Sequence, residues 1–118
     1  MSEQAAYKSL KTEIDHEHFV RAAFLAASLD LSEEEVQDLR FKAVWQSALN
    51  RNDQGTKVLA KQYGFSKEKV REILEQHLQE IKQEGKSKLL GLRYNLSLGK
   101  HLSFEEWMEY CLKNWERT

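Results

Sequence analysis

The sequence predicts an all-α fold, a small bundle of about five to six helices, on three observations. The 118-residue chain has no proline and only five glycines, whereas sheets joined by tight turns usually need more of both. Apolar residues recur at helical spacing through most of the chain. Ser32 with Glu35, and Ser103 with Glu106, have the spacing of capping boxes, which mark helix starts.

The composition describes one soluble globular domain spanning residues 1–118. Hydrophobic residues make up 41% of the chain and charged residues 31%, which excludes a disordered protein. A single cysteine, Cys111, excludes an internal disulfide and fits a reducing compartment. The chain does not begin with a basic region followed by an apolar run, so no secretory signal is visible. No apolar run is long enough to span a bilayer. We therefore expect a cytoplasmic protein with no membrane contact.

The first helical elements differ in how polar they are. Residues 1–12 are compatible with a short helix or a frayed arm, and Asp15 is a candidate N-cap for a helix over residues 16–28. The segment Phe19–Leu29 leaves that helix almost no polar face. Such a helix is buried centrally or closes a subunit interface. Because a chain this small cannot easily cover it on every side, we expect a homodimer formed through Phe19–Leu29.

The next helix is predicted over Glu33–Leu49, capped by Ser32, with its acidic first turn placed against the positive end of the helix dipole. Residues 50–55, Asn-Arg-Asn-Asp-Gln-Gly, form the clearest loop of the chain. Thr56 is the candidate cap of the helix that follows this loop.

Residues 56–75 have the pattern of two helices joined by a tight turn. Ala60 provides the small residue at a helix crossing, and Gly64 suits a turn that needs positive φ. Ser66 caps the second helix, on which Val70 and Ile73 face inward. The stretch resembles the helix-turn-helix superfamily of bacterial and phage DNA-binding proteins. That resemblance implies binding to double-stranded DNA, as in a transcriptional regulator. The periodicity continues past the motif, so the second helix is predicted over residues 66–84.

Beyond Gly85 the pattern is ambiguous. Alternation of Leu92, Tyr94, Leu96 and Leu98 indicates a strand, which would form a wing as in winged helix-turn-helix proteins, but one strand without a partner is not stable. We therefore predict a helix over residues 86–99. The last helix, over residues 103–116, starts with the Ser103 capping box and carries an apolar stripe typical of a docking helix.

The formal net charge of −1 conceals a basic middle. Residues 56–101 carry ten basic residues against five glutamates, while the rest of the chain is acidic. The predicted DNA-binding residues are Lys57, Ser66, Lys67, Lys69, Arg71, Lys86, Lys88 and Arg93. Helical geometry points Glu68, Glu72 and Glu75 outward at the centre of the groove-reading face, which opposes phosphate binding.

No sequence motif nominates an enzyme, a cofactor or a metal. The chain lacks a P-loop, a dinucleotide fingerprint, a Ser/His/Asp order and paired-cysteine metal spacing. His16 and His18 flank Glu17, but helix residues two apart point away from each other. The alternative to a DNA-binding protein is a non-enzymatic adaptor whose helix-turn-helix is architectural. It would bind a protein through Phe19–Leu29 or through the apolar stripe of the last helix.

Overall fold

The structure, a computed structural model, describes residues 3–116 and confirms the all-α fold class. Over that range its elements are α1 (Glu3–Asp15), α2 (Phe19–Ala27), α3 (Glu33–Leu49), α4 (Asp53–Tyr63), α5 (Lys67–Gln83), a 3-10 helix (Ser87–Leu90), β1 (Arg93–Asn95), β2 (Lys100–Leu102) and α6 (Phe104–Lys113). Two compact units divide the chain, one up to Gln46 and one from Ser47. The single domain over residues 1–118 stays a prediction, and residues 1, 2, 117 and 118 lie outside the described range. None of the described helices is both long enough and apolar enough to cross a bilayer.

The first unit begins with α1 and α2, which contact each other across a short turn. Asp15 is the last residue of α1, so the prediction that it caps a helix from residue 16 is wrong. The chain turns instead at Glu17, whose φ is 58°. The Glu17 carbonyl accepts a hydrogen bond of 2.6 Å from the Gln46 side chain. His18 then precedes α2 without a side-chain cap and lies 2.7 Å from Glu13.

The apolar helix α2 is covered on one side only. Ala22, Ala23 and Ala26 are buried, but Phe24 is 75% exposed and Val20 is 46% exposed. Burial on every side is therefore not observed for this helix.

Helix α3 begins and ends where the sequence predicts, with the Ser32 hydroxyl accepting a hydrogen bond of 3.1 Å from the Glu35 amide. The second unit then departs from the prediction at residues 50–55. Helix α4 already starts at Asp53, because Asn52 caps it by accepting the Gly55 amide at 2.8 Å. Thr56 is a buried residue inside α4, and its hydroxyl donates to the Asn52 carbonyl at 2.7 Å. Thr56 is thus not the cap.

The turn between α4 and α5 follows the prediction closely. Gly64 adopts the left-handed conformation with φ of 76°, and the Ser66 hydroxyl caps α5 by accepting the Lys69 amide at 3.1 Å. Ala60, Val70 and Ile73 are buried, as the motif requires.

Residues 86–99 do not form the predicted helix. After the 3-10 helix they form an antiparallel hairpin in which Tyr94 pairs with His101. The Asn95 side chain accepts the Leu98 amide at 2.9 Å, and Gly99 takes a φ of 66°, which favours a tight turn over a helix. The partner strand is residues 100–102, which the sequence pattern does not mark as a strand.

Helix α6 has the complete capping box predicted for Ser103 and Glu106. Its inward face is buried and includes Phe104, Trp107, Met108, Cys111 and Leu112. The last helix therefore packs through the predicted apolar stripe, although it ends at Lys113 and not at residue 116.

Candidate nucleic-acid interface

The predicted DNA-binding residues do not form one free basic face. Lys57 is only 8% exposed, and its ammonium donates to the Asn114 carbonyl at 3.0 Å and lies 3.4 Å from Asp53. A lysine held in this way belongs to the interior of the second unit. We therefore remove Lys57 from the set of phosphate contacts.

Several other predicted cations on and after α5 are paired with glutamates. Arg71 makes two hydrogen bonds to Glu109, of 2.7 and 3.3 Å, and lies 3.6 Å from Glu75. The hydrogen bond and charge of Arg71 hold the pKa of the Glu109 carboxyl below its usual range. Lys69 lies 3.4 Å from Glu72.

The pairing continues beyond α5, where Lys86 lies 3.2 Å from Glu84. The Ser66 hydroxyl is also engaged within the chain, because it caps α5 by accepting the Lys69 amide.

The outer face of α5 is acidic, as the helical geometry predicts. A groove of about 700 Å³ between α5 and α6 is lined by five glutamates and two cations. The glutamates are Glu68, Glu72, Glu75, Glu105 and Glu109, and the cations are Arg71 and Lys82. A face with this balance repels phosphates. The centre of α5 is therefore a poor surface for contacting DNA.

The hairpin and its flanks present a different charge. Residues 85–104 contain no aspartate or glutamate and include four basic residues, Lys86, Lys88, Arg93 and Lys100. Tyr94 is 56% exposed and packs edge-on against His101, with ring centroids 5.2 Å apart. Exposed cations beside an exposed aromatic ring suit a nucleic-acid backbone and its bases.

The hairpin shares a groove with the start of α5. This groove of about 710 Å³ is lined by Lys67, Arg71, Lys100 and Lys113 among its cations, and by Leu98, Leu102 and Tyr110. Glu105, Glu106 and Glu109 line it as well. Lys100 and Lys113 were not among the predicted DNA-binding residues. The absence of carboxylates from residues 85–104 is the sequence signal that could have identified Lys100.

Residues 3–116 contain no group of three or more His, Cys, Asp or Glu side chains placed to hold a metal ion. Cys111 is buried, and its thiol donates to Asp53 at 2.9 Å. Burial and the Asp53 carboxylate raise the pKa of the Cys111 thiol far above its usual value. This thiol is therefore protonated and not a nucleophile at neutral pH.

Comparisons of the chain with protein-family models, with curated proteins and with solved structures found no significant match.

Proposed function

We propose that this chain binds double-stranded DNA through the β1–β2 hairpin and the first turn of α5, and that the centre of α5 does not read the groove. The proposal keeps the DNA-binding function implied by the helix-turn-helix resemblance and changes the surface that carries it. The observation that carries it is the carboxylate-free basic segment, residues 85–104, which contains the hairpin and whose four basic side chains are exposed.

The order of elements supports this assignment. A helix, a tight turn and a second helix are followed by a hairpin, as in winged helix-turn-helix proteins. Lys67 at the start of α5 and Lys100 on β2 line the same groove. The phosphate backbone of one DNA strand can therefore contact both elements. The first amides of a helix add a partial positive charge there.

Salt-dependent binding to a generic DNA duplex tests the proposal. The variant Lys67→Gln/Lys88→Gln/Lys100→Gln removes one cation each from the first turn of α5, from the 3-10 helix that leads into the hairpin and from β2. Each phosphate contact contributes about 0.9 to the slope of log K against log salt. We therefore expect the slope of the triple variant to be shallower by roughly 2.7.

The matched control is Arg21→Gln/Lys42→Gln/Lys82→Gln, which removes the same total charge from outside the proposed surface. Each of these cations lies close to a carboxylate, at 3.9 Å from Glu13, 3.0 Å from Asp38 and 3.0 Å from Glu105 respectively. Its slope should match that of the unsubstituted chain. No detectable binding at low salt, or equal losses in the two variants, would overturn the proposal.

A second candidate function, a protein-interaction domain that dimerises, is supported by α2. Phe24 is 75% exposed in a helix whose other side is buried, and a second copy of the same helix could cover it. Phe24→Ser should then convert a dimer into a monomer in sedimentation equilibrium. A monomeric unsubstituted chain at tens of micromolar would exclude this dimer.

A further inference from the structure

A second, smaller pocket lies against the hairpin and shares Leu102 and Tyr110 with the groove between the hairpin and α5. Its volume is about 250 Å³, and residues from the start of α4, from the hairpin and from α6 line it. Two arginines, Arg51 and Arg93, face it together with Tyr94 and Ser97 of the hairpin. Pockets for whole small-molecule ligands are usually larger, about 300–1,000 Å³. This one has room for a small group.

Arg51 lines this pocket and donates hydrogen bonds to neutral partners. Its two terminal nitrogens donate to the carbonyls of Leu49 and Gly91, each at 2.9 Å. Its guanidinium lies 5.0 Å from the centre of the Phe104 ring. Its Nε is buried without a hydrogen-bond partner among the described residues. Of the five N–H donors of a guanidinium, two are therefore used, and both meet uncharged oxygens.

The second arginine adds a like charge close to the first. Burial of Arg51 and the nearby Arg93 guanidinium lower the pKa of Arg51 to about 10. The carboxylate that also lines the pocket, Asp53, is engaged elsewhere: it accepts from Cys111 at 2.9 Å and lies 3.4 Å from the Lys57 ammonium. The pocket therefore has two guanidinium groups in its lining against one carboxylate, and a bound anion would stabilise the excess positive charge.

We propose that the pocket between Arg51 and Arg93 binds a phosphate group. Guanidinium forks match the geometry of phosphate oxygens better than a lysine ammonium does, and the Ser97 hydroxyl provides a neutral donor. The phosphate belongs either to a small free anion or to the backbone of bound DNA. In the second case the inference rests on the proposed function.

Calorimetric titration with inorganic phosphate at constant ionic strength tests the pocket directly. We expect saturable binding by the unsubstituted chain and about tenfold weaker binding by Arg93→Gln, because a charge-assisted hydrogen bond is lost. The control is Lys42→Gln, which removes one cation that does not line the pocket and that lies 3.0 Å from Asp38. Its affinity for phosphate should remain unchanged. Ser97→Ala provides a milder second variant, and amide shifts of residues 93–97 report on the site.

Duplex binding by the same variants separates the two sources of phosphate. Saturable phosphate binding that Arg93→Gln weakens, together with weaker duplex binding, supports the pocket and its role with DNA. Phosphate binding without any duplex binding supports the pocket for a small anion and overturns the proposed function. Absence of saturable phosphate binding, or equal affinities of Arg93→Gln and Lys42→Gln for phosphate, overturns the pocket even if the duplex binds.

Discussion

The ion pair between Arg71 and Glu109 offers a direct test of whether Arg71 is structural or available to DNA. The Arg71 guanidinium on α5 donates two hydrogen bonds, of 2.7 and 3.3 Å, to the Glu109 carboxylate on α6. Glu109→Gln removes the negative charge while preserving the size of the side chain. Glu75, at 3.6 Å, then remains as a carboxylate close to Arg71.

The stability cost of this substitution should be small. The side chains of Arg71 and Glu109 are 38% and 59% exposed, so solvent screens their attraction. Exposed pairs contribute about 0.2–1 kcal/mol to the free energy of unfolding, and a two-bond geometry places this pair towards the upper end. A double-mutant cycle with Arg71→Gln and Glu109→Gln should give a coupling within that range.

The pH dependence of this coupling has a defined sign. Hydrogen bonding to Arg71 lowers the pKa of Glu109 in the folded chain below its unfolded value. The contribution is therefore fully present above the ordinary glutamate pKa of about 4.3 and is lost as the pH falls through the lower folded pKa.

DNA binding gives the second readout of Glu109→Gln. If Arg71 lies beside the DNA, release from Glu109 adds a phosphate contact and steepens the salt slope by about 0.9. Fluorescence anisotropy with a labelled duplex measures this slope. A coupling indistinguishable from zero would refute the structural reasoning. An unchanged slope would place Arg71 outside the DNA footprint.

Two further predictions concern the exposed turn at Gly64 and the buried Cys111, both in the second unit. Gly64→Ala should lower the free energy of unfolding, measured by urea titration, by about 1 kcal/mol. An alanine is strained in the left-handed conformation, although no atom lies within 4 Å of its added Cβ. Gly64→Asn should lower the free energy of unfolding by less in the same titration. The Cys111 thiol should resist a thiol-specific reagent at pH 8 until the chain unfolds, since burial raises its pKa; labelling at the rate of a free thiol without denaturant would contradict this.

Local signals in the sequence predicted much of the helical architecture. The caps at Ser32, Ser66 and Ser103 and the turn at Gly64 depend on residues three or four positions apart, and all four were confirmed. The prediction failed at the start of α4. Thr56 has a side chain that suits an N-cap, but Asn52, placed in the predicted loop, caps α4 in the structure.

Interactions between distant residues were beyond the sequence pattern. Strand β1 could be recognised only with its partner, residues 100–102, which look like a loop. Arg71 and Glu109 are 38 positions apart, so their pairing was invisible and the charge of Arg71 was counted as available. Arg51 was overlooked for the same reason. It lies in an apparent loop, and its hydrogen bond to the Gly91 carbonyl joins residues 40 positions apart.

The hairpin depends on the rest of the second unit for its stability. Its strands have three residues each, and so small a sheet is not stable in isolation. It is secured at one end, where the buried Leu102 leads directly into the cap of α6, while Leu96 at the turn is 89% exposed. Backbone amides near Leu96 should therefore exchange with deuterium long before those of α6. A ligand bound at Arg93 would slow this amide exchange, because it would stabilise the hairpin beyond what its own hydrogen bonds provide.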